Sequence, residues 1–120
     1  PPRSTLFPYT TLFRSGSAVK AQVPGYRVGG KTGTAQKVLN GRYSQTKYIG
    51  NFIGMAPMSN PRFIIAVMID EPGGPVHVGG DVAGPVFSAL AAQALRAKNV
   101  APDSDLTHII IPESAAQENM

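Results

Sequence analysis

The chain has 120 residues, 42% of them hydrophobic, with 11 lysines and arginines against 7 acids and a formal net charge of +4. That suffices for one small domain with a modest core and excludes a disordered chain. There is no cysteine, which removes disulfides, thiol nucleophiles and cysteine metal sites, and the longest apolar run, residues 63–69, is far too short to span a membrane.

Charge is unevenly spread. Between Gly16 and Ile69 there is no acid, while Lys20, Arg27, Lys31, Lys37, Arg42, Lys47 and Arg62 all fall there; after Lys98 come Asp103, Asp105, Glu113 and Glu118 with no base. A basic middle favours an anionic small substrate, with a solvated basic face as the plain alternative. The charges are too dispersed for a nucleic-acid stripe.

In chain order, Thr5-Leu6-Phe7 recurs as Thr11-Leu12-Phe13 among prolines and arginines without turn logic. Residues 1–15 therefore read as a non-native, adapter-like segment and are set aside; no signal-peptide pattern is present. Ala18, Val19, Ala21 and Val23 predict a short strand over residues 16–23. Pro24-Gly25 signals a turn, and residues 26–38 a longer strand. Asn40-Gly41 is a strong hairpin signal, followed by a strand over residues 48–56 and a loop over 57–61. Residues 63–69 are apolar on both faces, which predicts a central strand covered on both sides.

Four glycines, two prolines and His77 make residues 72–80 a loop. Gly84-Pro85 opens a helix, with Phe87, Leu90, Ala91, Ala94 and Leu95 as one apolar stripe; Lys98-Asn99 closes it and Pro102 follows. Residues 103–120 read as an acidic, mostly disordered tail, with at most a short edge segment at residues 109–111. The fold class is α+β: an antiparallel sheet with the C-terminal helix packed on one face. Such a unit keeps open edges and an uncovered face, so it reads as part of a larger domain, unstable or aggregation-prone alone.

The chemistry concentrates in Gly29-Gly30-Lys31-Thr32-Gly33-Thr34-Ala35. In an extended chain Thr32 and Thr34 share a face, and Gly33 lets a ligand approach the backbone closely. One ammonium, two hydroxyls and free backbone N–H groups form a receptor for a carboxylate and an oxyanion. A rival reading exists, because residues 25–32 satisfy the phosphate-loop spacing and residues 63–69 followed by Asp70-Glu71 imitate a magnesium-binding strand. The context speaks against a nucleotide-binding protein. Gly33 falls where the helix must begin, and residues 36–47 show hairpin chemistry where a parallel crossover is required. Asp70 and Glu71 are then strand-end residues.

Lys31-Thr32-Gly33-Thr34-Ala35 resembles the third signature of the penicillin-recognising serine transpeptidases, penicillin-binding proteins and serine β-lactamases. The likeness continues through Gly25-Tyr26-Arg27-Val28, Ala35-Gln36-Lys37, Tyr48-Ile49, Gly54-Met55-Ala56-Pro57, Pro61-Arg62-Phe63, Gly79-Gly80 and Ala83-Gly84-Pro85-Val86-Phe87. This series is most similar to the class B penicillin-binding proteins, in particular the septal, cell-division D,D-transpeptidases, and covers residues 16–102.

The resemblance implies roles. Lys31 would neutralise developing negative charge and connect to the nucleophile's proton network. Thr32 and Thr34 would bind the terminal carboxylate of a D-Ala-D-Ala stem peptide or of a β-lactam, with Gly33 beneath it. The backbone N–H of Thr34 would be one of two oxyanion donors, and Gln36 would line the site. No metal or cofactor is implied, and His77, in the glycine-rich loop, is left as a solvated histidine without a chemical role. The family further implies the periplasmic face of the inner membrane, an N-terminal membrane anchor not seen here, and cell-division proteins as partners.

Two parts of the family's machinery are missing. Ser17-Ala18-Val19-Lys20 fits the nucleophile pattern Ser-x-x-Lys, but that serine must begin a helix and in the family lies far upstream, whereas this stretch reads as a strand leading into the motif. No Ser-x-Asn occurs; Ser59-Asn60 has the wrong spacing. The sequence therefore reads as a C-terminal fragment of a transpeptidase domain, inactive alone. The alternatives are a β-lactam-sensing domain and a serine β-lactamase.

Overall fold

The computed structural model describes residues 19–104. A 3-10 turn at Val19–Ala21 is followed by strands β1 (Gly29–Leu39), β2 (Arg42–Ala56) and β3 (Phe63–Asp70), then a short helix α1 (Gly79–Val82) and a longer one, α2 (Gly84–Ala97). The sheet order is β1-β2-β3 and both pairings are antiparallel, giving the α+β unit that the sequence predicts.

The β1–β2 hairpin turns at Asn40 (φ 52°) and Gly41 (φ 76°), the two left-handed residues that a twist-matched two-residue turn requires. β2 begins six residues earlier than alternation suggests. Its first part is polar and irregular: the hydroxyl of Ser44 accepts from the N–H groups of Thr46 and Lys47 at 3.2 and 3.0 Å, and the register against β1 shifts between Gln36 and Val38. Hydrogen-bonded pairing, not hydrophobic alternation, carries the strand there.

Opposed residues share a face. Thr32, Phe52 and Val67 stand opposite one another across the three strands, as do Lys31, Ile53 and Ala66. The first face carries the core. Helix α2 lays Phe87, Ala91 and Leu95 onto it, all fully buried, and Phe52 meets Phe87 edge-on. Gly54 makes this approach possible, since a β-carbon there would lie 2.7 Å from the Phe87 ring. The second face is open: Ile53, Ile64 and Met68 are 52, 75 and 69% exposed.

The structure corrects four expectations. Residues 19–23 form no strand; Val19 and Ala21 are buried in a 3-10 turn under the start of α2, with one isolated bridge between Val23 and Tyr26. Residues 16–18 lie outside the described residues. β1 begins at Gly29, because the Arg27 N–H is taken by the Asp103 carboxylate and the Arg27 carbonyl by the Met58 N–H, outside the β1–β2 ladder. β3 is an edge strand among the described residues, and the face with Ile64 and Met68 is uncovered. Leu90 is 46% exposed and off the buried stripe. At about 100° per residue it lies roughly 60° behind Phe87, while Ala91 and Leu95 lie ahead of it.

The helix closes as its sequence predicts, with the Lys98 N–H donating to the Ala94 and Arg96 carbonyls and Asn99 left-handed at φ 52°. The first two residues of the acidic tail are docked: the N–H groups of Asp103 and Ser104 both donate to the Gly25 carbonyl at 3.1 Å. The segment at residues 109–111 and the rest of the tail lie outside the described residues.

Candidate active site

Strand β1 sorts the motif onto two faces. Lys31, Gly33 and Ala35 belong to the open face; Thr32, Thr34 and Gln36 belong to the face that carries the core. Both threonines and the lysine lie inside β1, an antiparallel edge strand among the described residues that is followed directly by β2, and Asp70 closes β3 with Glu71 just beyond it. That arrangement removes the phosphate-loop reading, which needs the lysine at a helix N-terminus and a parallel partner strand.

Thr34 is the best-defined group of the site. Its hydroxyl oxygen accepts the Gly79 N–H at 2.8 Å. An oxygen that serves as acceptor keeps its own proton, so the hydroxyl remains able to donate to an incoming group. Gly79 reaches it because it has no side chain: a β-carbon there would strike the backbone carbonyl oxygens of Gly33 and Asn51. Gly50 clears the same approach, where a β-carbon would lie 2.5 Å from Val82. The glycines thus let α1 settle on the β1–β2 backbone.

On the open face Lys31 is exposed, and its ammonium donates to the Thr32 carbonyl at 2.8 Å. Beside it the Asn51 side chain lies over Gly33, close enough that a β-carbon on Gly33 would collide with it. Gln36, half-buried, faces Tyr48 across the hairpin. His77 is not the solvated loop histidine that was expected: it is half-buried, its ring stacked on Tyr48 at 3.9 Å and 11°.

Electrostatics flank the site at Lys37. Its ammonium lies 2.8 Å from Glu71 Oε1 and 2.9 Å from Asp70 Oδ1, and Lys47 lies 3.6 Å from the same Glu71 oxygen. Hydrogen bonds to Glu71 and then Asp70 raise the Lys37 pKa, and the Lys37 hydrogen bond lowers that of Glu71. Lys20, the lysine of the Ser-x-x-Lys lookalike, pairs instead with Asp81 at 3.1 Å; Ser17 lies outside the described residues.

The structure thus places all five predicted residues on β1, with Thr32, Thr34 and Gln36 on the core-bearing face and Lys31 and Gly33 on the other. Sequence reasoning missed Gly79 as the partner of Thr34, Asn51 over Gly33, and the Tyr48–His77 stack. The Gly79-Gly80 pair ahead of a helix was the one local signal for close backbone approach; the stack joins residues 29 positions apart and has none.

Among the described residues, Lys-Thr-Gly-Thr thus lies on an edge strand whose sheet is backed by α2. Residues 11–92 match the penicillin binding protein transpeptidase domain, and the chain belongs to that family. The match begins inside the segment read as adapter-like. The chain is 47% identical over 93 residues to the probable peptidoglycan D,D-transpeptidase PenA of Neisseria flavescens, across 78% of this chain and 23% of that protein. It is 47% identical over 90 residues to the peptidoglycan D,D-transpeptidase FtsI of Escherichia coli, across 74% of this chain and 15% of that protein. Among solved structures, the apo TP domain of Burkholderia pseudomallei penicillin-binding protein 3 superposes with a TM-score of 0.66 at 54% identity, covering 74% of this chain and 27% of that one. The chain therefore spans about a quarter or less of each relative.

Proposed function

We propose that the chain is the C-terminal part of a peptidoglycan D,D-transpeptidase domain, which cross-links cell-wall stem peptides at the septum through an acyl-serine intermediate. Residues 11–102 form that part, residues 1–10 are foreign to it, and residues 103–120 are a tail. The observation that carries the reading is the Thr34 hydroxyl, held by the Gly79 N–H on an edge strand with Lys31 three residues earlier on the same strand.

The stem peptide lies along the free edge of β1. Thr32 and Thr34 hold its terminal carboxylate, and Gln36 lines the strand beyond. The backbone N–H of Thr34 donates to the oxyanion as the tetrahedral intermediate forms, and removing one such donor costs on the order of 10²–10³ in rate. Lys31 stabilises the negative charge that develops beside the nucleophile. The activated serine and the Ser-x-Asn group come from parts of the longer enzyme outside these residues. The open face with Ile53, Ile64 and Met68 is where the rest of the domain covers the sheet. In the whole enzyme the site faces the periplasm, with a membrane anchor and cell-division partners. β-Lactams occupy the same carboxylate grip.

Labelling with a fluorescent penicillin tests this, on the chain alone and on the full-length protein. Labelling of the full-length protein only is the expected result. Labelling of the 120-residue chain, lost in Ser17→Ala, would reinstate Ser17 as nucleophile. Absence of labelling in both would refute the transpeptidase reading.

A further inference from the structure

Thr34 and Lys37 stand three residues apart on β1, and a closed chain of contacts joins them through a loop from elsewhere in the sequence. Lys37 holds Glu71 and Asp70 at 2.8 and 2.9 Å. Glu71 sits at φ 52°, a left-handed conformation that a residue with a β-carbon adopts only when its surroundings hold it there. Its N–H donates to the Tyr48 carbonyl at 2.9 Å. The Tyr48 ring carries His77, and two residues later the Gly79 N–H reaches the Thr34 hydroxyl.

Between these anchors the loop is loosely held. Residues 73–76 are exposed, and β-carbons on Gly73 and Gly74 would meet nothing within 4 Å. The path of residues 71–78 is therefore set at its two ends. At the far end it is set by stacking and by the glycine-to-backbone fit. At the near end it is set by charge: Asp70 and Glu71 are adjacent carboxylates that repel each other, and Lys37 lies within 3 Å of both.

We propose that Lys37 is a positioning residue for Thr34, acting through the 71–78 loop: by holding Glu71 in its left-handed turn it fixes where Gly79 meets the Thr34 hydroxyl. This rests on the reading that Thr34 grips a ligand carboxylate. An exposed ion pair contributes little to stability by itself. The effect is expected in ligand binding, because a hydroxyl that loses its fixed acceptor contact must be oriented when the ligand arrives.

The test compares Lys37→Met with Lys37→Arg in the full-length protein. Two quantities are read: exchange of the Gly79 amide by NMR, and the pre-acylation dissociation constant and acylation rate for benzylpenicillin. Lys37→Met is expected to speed Gly79 exchange and to weaken pre-acylation binding about 3- to 10-fold, in the lower part of the range of coupling between groups in one network. The acylation step itself should be little changed, Lys37→Arg should stay within about twofold, and the Met effect should vanish in a Thr34→Val background. Unchanged Gly79 exchange, or an equal loss with and without the Thr34 hydroxyl, overturns the proposal. If the full-length protein takes no penicillin, the proposed function fails, and Gly79 exchange alone still decides whether Lys37 sets the loop.

Discussion

Phe52 on β2 and Phe87 on α2 meet with ring centroids 4.7 Å apart and planes at 61°, and both are fully buried. This edge-on pair is the centre of the helix–sheet contact. Phe87→Ala removes the larger part of what α2 buries and leaves a cavity that Gly54 cannot fill. We expect a loss of about 3–5 kcal/mol in the unfolding free energy of the protein, measured by denaturant titration. Phe87→Leu should lose distinctly less.

The hairpin turn offers a contrast between strain and space. Gly41 has φ 76°, and a β-carbon there would meet nothing within 4 Å. Gly73 is equally open but has no left-handed backbone. Gly41→Ala should therefore destabilise by about 1 kcal/mol through backbone strain alone, while Gly73→Ala should be near neutral. Equal melting temperatures for the two variants would show that the turn relaxes freely.

The hairpin, the strand carrying the motif and the helix start at Gly84-Pro85 were legible because each rests on local chemistry: a two-residue turn, an alternation, a proline at a helix N-terminus. What escaped the sequence was of two kinds. Apolar residues 18–23 carry no period that separates a buried 3-10 turn from a strand, and only the underside of α2 decides between them. The partners of Thr34, Gly33 and Tyr48 lie 45, 18 and 29 positions away, so the site's orientation is a tertiary product. The motif's alternation already separates Lys31 from the two threonines; it did not say which of the two faces meets the core.

Asp103 ties the segment after α2 to residues 27 and 59. Its carboxylate accepts the Arg27 N–H at 2.6 Å and the Ser59 N–H at 3.0 Å, and pairs with the Arg27 guanidinium at 3.4 Å. Burial pushes its pKa up, but these hydrogen bonds and the Arg27 charge outweigh that and hold it below the ordinary carboxylate value. A depressed folded-state pKa stabilises the protein above the unfolded value of about 3.9 and loses that stabilisation as pH falls through the folded value. Asp103→Ala should cost about 2 kcal/mol at pH 7, from hydrogen bonds to a charged acceptor. The gap in melting temperature between wild type and variant should narrow as pH drops below about 4. A gap that stays constant down to pH 2 would show that packing, not the carboxylate's charge, carries the tie.

Gly79 is the residue whose smallest change should damage the site most. Alanine there drives a methyl into the backbone of β1 and β2, so α1 must lift and the hydrogen bond to Thr34 is lost. One hydrogen bond of about 1–2 kcal/mol corresponds to a loss of roughly 5- to 30-fold. We expect that loss in penicillin binding by the full-length protein, with Thr34→Val giving a similar figure and the double variant adding little. Additive losses would mean that Gly79 and Thr34 act separately.

The division of β1 into two faces predicts a division of kinetic effects. Lys31 lies on the open face, opposite in direction to Thr34, so the two groups meet different parts of a ligand laid along the strand edge. On the proposed function, Thr34 would meet charge already present in the free ligand, its carboxylate, and so strengthen ground state and transition state alike. Lys31 would meet charge that develops during acylation, where a preorganised cation acts on the transition state alone. In the full-length protein Lys31→Met should lower the acylation rate constant by about 10²-fold while leaving pre-acylation binding within a few fold. Thr34→Val should do the reverse, weakening binding about tenfold with a smaller effect on the chemical step. Stopped-flow measurement of both constants separates the two. If Lys31→Met acts on binding and spares the chemical step, the ammonium is part of the carboxylate grip and the two faces of β1 serve one task.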